Sequence, residues 1–400
     1  MRDYDVKEGE EYMKSKKGLT ITILFVSMLQ MGGMGLAPSL ASIAADMPEV
    51  PVSIVQTLTS FPSFVMIFVC LIANKMIEYV GKKRVLLTGA IAISAVGILG
   101  YLFNSSIVLL YCWAGLLGVG FGTVLPTTSG VLAENYDEKE RGSLMGIQSV
   151  FTNIGAMYLT YVGGWVAAIH WKLNYLVYLY ALIPVIFGII FLPNDKPVKA
   201  EVSGDEKVGF GSLNKTTWVF GAITFLFMIL YGVHSANISF FVMEKELGSP
   251  AVVGTIMAVC TLGGMLGGAT FGAVNKIFKT YTFAAAFFLL AISLVITIKA
   301  PNITVLLIGA LLCGCSISWD IPQSMLSITN TNRVEAAAVA CSVAHIGGQI
   351  GTFCSSLVMT NITSVFSQSV SVRYAITAAI SAACGVIVIL IIKAMKLDKQ

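Results

Sequence analysis

Asp320 is the residue of this 400-residue chain with the most chemistry available to it. It lies near the middle of a long apolar run and two residues before Pro322. A charge at the centre of a membrane-crossing helix costs about 2.5–3.5 kcal/mol on insertion scales, so an acid there is ordinarily kept for a task. Such a carboxyl could bind a proton, a cation, or a substrate amine or hydroxyl. The alternative is a carboxyl locked to neighbouring hydroxyls such as Ser316 or Ser324. Pro322 removes one backbone hydrogen bond and kinks its helix, and polar neighbours must repair that. His345 lies at a similar depth in a later run, so an adjacent helix could bring it to Asp320. A carboxylate–imidazole pair can take up and release a proton. His234 lies nearer the outer end of its run and could face a wet cavity.

The neutral polar residues singled out inside apolar runs are Gln30, Asn153, Asn237, Gln323 and Gln349. Each could contact a solute or simply hydrogen-bond between helices. Tyr158, Tyr161, Tyr231 and Trp319 could form an aromatic wall, or pack against lipid and helices. The chain has three histidines in no ligand-like spacing, so no metal and no cofactor is expected. All eight cysteines fall in apolar runs, where small hydrophobes pack helices, and no disulfide framework is expected. No lysine or arginine lies deep in a run. Carriers of dicarboxylates or sugar phosphates need buried cations, so the expected solute is neutral, cationic or weakly amphipathic.

These residues need helices in lipid to position them. Hydrophobic residues make up 56% of the chain, charged residues 12%, and the mean hydropathy is +0.83. Soluble domains carry about 25% charge. Runs near the roughly 20 residues that a membrane helix needs lie at 19–45, 54–73, 84–103, 107–132, 143–168, 173–192, 217–242, 251–272, 281–298, 303–329, 336–360 and 374–394. The expected fold is therefore all-α and integral to the membrane, with twelve spans. With the N-terminus inside, 21 of the 25 Lys and Arg fall on the cytoplasmic side, leaving Lys172, Lys245, Lys299 and Arg373 outside. Lysine and arginine concentrate in cytoplasmic loops, so both termini are expected in the cytoplasm. The first 17 residues have no apolar core with a cleavage site, and the first run is expected to serve as its own uncleaved insertion signal.

The stretch 193–216 is the longest polar interior segment, with six runs on either side. The expected organisation is a cytoplasmic tail at 1–17, a six-helix half at 18–193, a linker at 194–216, a second half at 217–394 and a tail at 395–400. The halves echo each other in order. Asn74-Lys75 parallels Asn275-Lys276, Arg141 before Gly155 parallels Arg333 before Gly347, and Pro126 parallels Pro322. Two such repeats place a binding site between the halves at mid-depth. Gly264, Gly268 and Gly272, and Gly347 with Gly351, have the four-residue spacing that lets helix backbones approach.

One hairpin carries a family signature. Glu78 precedes Gly81 by three residues, and Lys82-Lys83-Arg84 follow. This resembles the loop after the second helix of the major facilitator superfamily, with Asn74 in place of its first Gly and Tyr79 in place of an Arg. Glu140-Arg141-Gly142 followed by Gly146 is similar to another element of that family. The resemblance spans the whole chain. It implies a non-enzymatic secondary transporter that works by alternating access on a small-molecule substrate, with helices 1, 4, 7 and 10 lining the cavity. That favours Gln30, Asn237 and Gln323 as contacts. It also implies a cytoplasmic latch in which Glu78 bonds Arg141, supported by Asn74, Gly81, Lys82, Lys83 and Arg84.

Two positions depart from the family. Ala114 stands where many proton-coupled members have an Arg four residues before a Gly, here Gly118. Leu159-Thr160 stand where drug antiporters have Gly-Pro before Gly163-Gly164. Efflux of an amphipathic compound, driven by protons through Asp320, is one expectation, and uptake of a small metabolite is the alternative on the same fold. From other classes, a receptor or scaffold would need a soluble region that these short tails do not supply. An intramembrane enzyme would need an acidic mate for Asp320. The chain is expected as a monomer in the cytoplasmic membrane of a prokaryote, with lipid and protons but no nucleic acid as partners.

Overall fold

The structure, a computed structural model, describes residues 16–192, 213–332 and 334–396, and no strand occurs among them. The long helices in chain order are α1 (Lys16–Asp46), α2 (Phe61–Val80), α3 (Lys82–Leu102), α4 (Ile107–Asn135), α5 (Glu138–Ile169) and α6 (Trp171–Phe191), with a short helix at Val52–Thr57 before α2. They continue as α7 (Lys215–Glu244), α8 (Pro250–Phe278), α9 (Thr282–Ile298), α10 (Ile303–Thr331), α11 (Val334–Ser364) and α12 (Val370–Ala394). Among the described residues, eight stretches are long and apolar enough to cross a membrane, one of them holding both α8 and α9. The expected linker at 194–216 lies outside the described residues up to 212, as do Arg333, the side chain of Asn74, and most of both tails.

Buried apolar side chains form two clusters. One is built from residues between Leu19 and Leu192. The other runs from Leu213 to Ile392 and takes in Ala37. Large apolar residues such as Ile98, Ile190 and Leu390 stand exposed on the outer faces. In water such a surface would be an aggregation hazard; around a helical bundle it is where lipid lies.

Helix starts follow local chemistry. Asp137 accepts from Glu140 N at 2.8 Å and Asn302 from Val305 N at 3.1 Å, caps worth about 1 kcal/mol each. Glu244, at the end of α7, accepts from Ser369 Oγ and from Val370 N, both at 2.6 Å. An acid at that position favours the positive end of α12 and ties the two helices together. The α2–α3 hairpin turns at Gly81, whose φ of 84° suits glycine.

Two expectations about helices change. The first run is not one continuous helix: it turns at residues 28–31 and tightens into a 3-10 segment at Gly32–Ser39. Gly32, Gly33, Gly35 and Pro38 weaken an α-helix there, and packing leaves no room for larger residues. A Cβ on Gly32 would lie 2.3 Å from the Phe121 ring, and one on Gly35 would lie 2.8 Å from the Tyr178 hydroxyl. A 3-10 stretch inside a helix often marks a functional hinge.

The glycine face of α8 is also one residue out of register with expectation. Gly268 and Gly272 have open space around them, whereas Gly263 and Gly267 meet the α10 backbone. The sequence carries both spacings, and only the partner helix decides between them. Gly347 and Gly351 do approach a neighbouring backbone, that of α7 at Gly221 and Phe225.

Candidate functional site

A cavity of about 260 Å³ lies between the two clusters. Its wall takes Gln30, Met31, Gly33, Met34 and Ala37 from the unwound part of α1. Thr59, Ser60, Ser63 and Met66 come from the start of α2 and the turn before it, and Phe121 from α4. Opposite stand Thr224, Met228, Tyr231 and Ser235 of α7, Ile317, Ile321, Ser324 and Met325 of α10, and His345, Gln349, Thr352 and Ser356 of α11. Five methionines and a set of hydroxyls make this wall, and among the described residues no Lys, Arg, Asp or Glu lies on it. Methionine is flexible and polarizable, and it suits surfaces that accept varied apolar shapes.

The cavity continues into a vestibule of about 390 Å³ that shares Met66, Met325 and His345 with it. The vestibule passes Cys70 and Leu71 of α2, Leu125 and Pro126 of α4, and Cys341 of α11. It therefore leads toward the ends that carry the Gly81–Arg84 hairpin.

The opposite ends are closed. Gln56 donates from Nε2 to Asn237 Oδ1 at 2.7 Å and accepts from Thr360 Oγ1 at 2.6 Å, so it bridges the two sides of the cavity. Arg373 donates to the same Asn237 Oδ1 and, from Nε, to Thr363 Oγ1 at 3.1 Å. Ser239 Oγ donates to Pro38 O at 3.1 Å and accepts from Ala41 N at 3.2 Å. Gly164 of α5 and Gly254 of α8 meet backbone to backbone.

Asp320 is fully buried just behind the wall, with neither carboxylate oxygen in a hydrogen bond among the described residues. Thr224 lies against it without reaching hydrogen-bonding geometry. Thr224 and Ser324 both line the cavity, and both hydroxyls are likewise without a partner. An unpaired ion is costly in such a place, and a proton or a cation removes that cost. His345 is on the wall and makes no hydrogen bond with Asp320 among the described residues, so the expected pair is not formed.

Of the expected contacts, Gln30 and Gln349 are on the wall, as is His345, expected as a proton-coupling group, and Gln30 Nε2 is buried without a partner among the described residues. The others lie elsewhere. Asn237 belongs to the closing network, and Gln323 accepts from Asn275 and donates to Ser327 Oγ at 2.9 Å. Asn153 bonds Ser149 O within its own helix at 2.8 Å, and Trp319 donates to Thr270 Oγ1 at 3.4 Å. His234 is buried in the core beside Cys260 and Cys313. Each of these satisfies or packs against neighbours rather than facing the cavity. Among the aromatics singled out, only Tyr231 is on the wall.

Arg373, expected in an outer loop, sits in the first turn of α12 with its side chain 3% exposed. A buried cation therefore exists, in the closing network and away from the cavity wall. Gln56 and the hydroxyl set of α2, α7 and α11 were missed, because Ser and Thr inside apolar helices usually just bond back to their own backbone.

On the hairpin side, Glu78 makes no ion pair among the described residues, and Arg141 donates from Nη2 to Tyr136 O at 3.4 Å. Lys82 pairs with Glu134, and Lys83 donates to Ile189 O at 3.1 Å and Leu192 O at 2.8 Å at the end of α6. Lys16 pairs with Glu140 at 2.8 Å, and Arg84 is exposed. The hairpin cations thus tie helix ends within one cluster while the vestibule is open.

Replacing Gln56 with Leu should weaken the closed ends. Thr360 loses its acceptor and Asn237 keeps only Arg373 at its oxygen, at a cost of about 1–3 kcal/mol for polar groups left buried and unsatisfied. The expected result is faster modification of cysteines placed at the closed ends. An unchanged rate would show that the network does not hold them.

Comparison with known proteins agrees with this architecture. Residues 21–243 match the family model of the Major Facilitator Superfamily. A multidrug transporter protein, MdtP, of Bacillus subtilis (strain 168) is 22% identical over 231 residues, which is 57% of this chain and 41% of MdtP. The chain therefore matches less than half the length of that relative. A crystal structure of the peptide transporter POT in complex with sulfate superimposes with a TM-score of 0.76 at 12% identity, covering 95% of each chain. One of the nucleoside transporter NupG gives 0.72 at 13% identity, covering 94% of this chain and 98% of that one. At such identity the two structures show the fold alone. The family model spans more than half of the chain, and its helical bundle with a central cavity is that of solved transporters; the chain belongs to the major facilitator superfamily of membrane transporters.

Proposed function

We propose that this transporter moves a small neutral, cationic or amphipathic solute outward by alternating access, driven by protons through Asp320. The carrying observation is the cavity wall, rich in methionine and free of Lys and Arg. Such a wall offers an anion no charge-assisted bond, while apolar groups and dispersed hydroxyls suit an amphipath. The likeness to a multidrug transporter supports efflux.

In this reading the chain has twelve spans in two halves, 18–193 and 217–394, joined by a linker at 194–216, with both termini in the cytoplasm of a prokaryotic cell. The vestibule then faces the cytoplasm, and the solute enters there. Gln30, His345 and Gln349 orient it, and the unwound part of α1 supplies backbone groups beside it. Thr224 and Ser324 connect the cavity to Asp320. When the halves rock, the Gln56–Asn237–Thr360 network opens and Glu78 can reach Arg141, closing the hairpin side.

The test is a proteoliposome panel of lipophilic cations, neutral amphiphiles and dicarboxylates under an imposed pH gradient. Saturable, gradient-driven movement of a cation or neutral amphiphile is expected. Strong, specific exchange of a dicarboxylate would overturn the assignment of solute class.

A further inference from the structure

His234, Cys260 and Cys313 are distant in sequence and lie on α7, α8 and α10. Their ligand-capable atoms all fall within 4.8 Å of one another, and all three residues are buried. Close backbone packing brings them together. A Cβ on Gly314 would lie 1.8 Å from Cys260 O, and one on Gly263 would lie 2.0 Å from Leu311 O. The missing side chains let α8 and α10 touch beside the two thiols.

His234 is 1% exposed and neither ring nitrogen has a partner among the described residues. A neutral imidazole ordinarily uses both nitrogens when buried. Tyr374 stacks on the ring at 6.2 Å and donates to His234 O at 3.3 Å, which fixes its orientation. Tyr231 stands between the cluster and the cavity, its hydroxyl 3.8 Å from Cys260 Sγ.

We propose that these three residues bind one thiophilic divalent ion of the zinc class, as a structural clip between α7, α8 and α10. Thiolate and imidazole are the ligands such ions favour. A tetrahedral zinc holds sulfur at about 2.3 Å and nitrogen at about 2.0 Å, so modest side-chain rotation closes the set onto an ion. Binding displaces one proton from each thiol. The divalent ion, two thiolates and a neutral imidazole then carry no net charge, which an apolar surrounding tolerates. Monovalent copper with the same two thiolates would leave a negative charge there.

The test uses the full chain, purified under reducing conditions and stripped with a chelator, then titrated with Co²⁺ and afterwards with Zn²⁺. A thiolate-to-cobalt charge-transfer band saturating at one ion per chain is expected. Zn²⁺ should bleach it and raise the unfolding temperature. A variant in which Cys70, Cys112, Cys315, Cys341, Cys354 and Cys384 are replaced should keep the band, and Cys260→Ser with Cys313→Ser should lose it. Absence of the band in the wild-type chain overturns the proposal whether or not any variant folds. So does a band of equal strength in the double serine variant.

Discussion

Asp320→Asn should leave a transporter that binds and exchanges its solute but no longer responds to a pH gradient. The amide has the shape of the protonated carboxyl and cannot release a proton. Asp320 is fully buried with both oxygens unpaired, and the unpaired hydroxyls of Thr224 and Ser324 stand on the cavity wall beside it. In the proposed mechanism a solute that fills the cavity changes what the carboxyl can bond to, and the proton on the carboxyl changes what the solute meets. Such a coupling is reciprocal and amounts to about 1–3 kcal/mol, or roughly 5- to 150-fold in affinity. Losing it should leave a flux that an imposed pH gradient no longer raises. Exchange of labelled for unlabelled solute at equal pH moves no net proton and should survive, which also shows that the variant folds. If gradient-driven flux matched the wild type, the coupling group would lie elsewhere, and His345 on the wall would be the next candidate.

How much of this could be foreseen depends on whether a residue's role is local. The Gly81 turn and the proline in α4 and in α10 are settled by neighbours in sequence, and they stand where expected. Asp320 was conspicuous because acids inside apolar runs are rare. The break in α1 was less visible, since Gly32 and Gly35 are required by the Phe121 ring and the Tyr178 hydroxyl, which come from α4 and α6.

In lipid every face of a helix can be apolar, so periodicity does not say which face meets a partner. That is why the α8 glycine register was misjudged, and why Asn237 and Gln323 looked like solute contacts when they bond Gln56 and Asn275 instead. Arg373 was assigned to a loop because it is charged, yet the acid of Glu244 holds the start of α12 in place and Arg373 is buried one turn later. His234, Cys260 and Cys313 are brought together only by helix packing.

Gly254→Val should stop transport altogether, because the closed ends meet at backbone distance. A Cβ at position 254 would lie 2.4 Å from Thr160 O and 2.9 Å from Gly164 Cα, and one at position 164 would lie 2.6 Å from Pro250 O. The obstructing atoms are backbone on both helices, so no rotamer change relieves the overlap, and α5 and α8 must separate. Their separation strains the nearby bridge from Gln56 to Asn237 and Thr360, which spans the same closed side. In the proposed alternating access these contacts belong to one of two states, closed or open on this side. Moving such an equilibrium from 1:99 to 99:1 takes about 5.5 kcal/mol, and a valine overlapping backbone at this distance supplies an energy of that order. The buried clusters on either side do not depend on this contact, so the variant should still fold. Spin labels at Glu49→Cys and Lys245→Cys, on the closed ends, should report a longer distance in Gly254→Val, with flux at background. Normal flux at an unchanged distance would show that the glycine contact is incidental and that closure is held by the polar network alone.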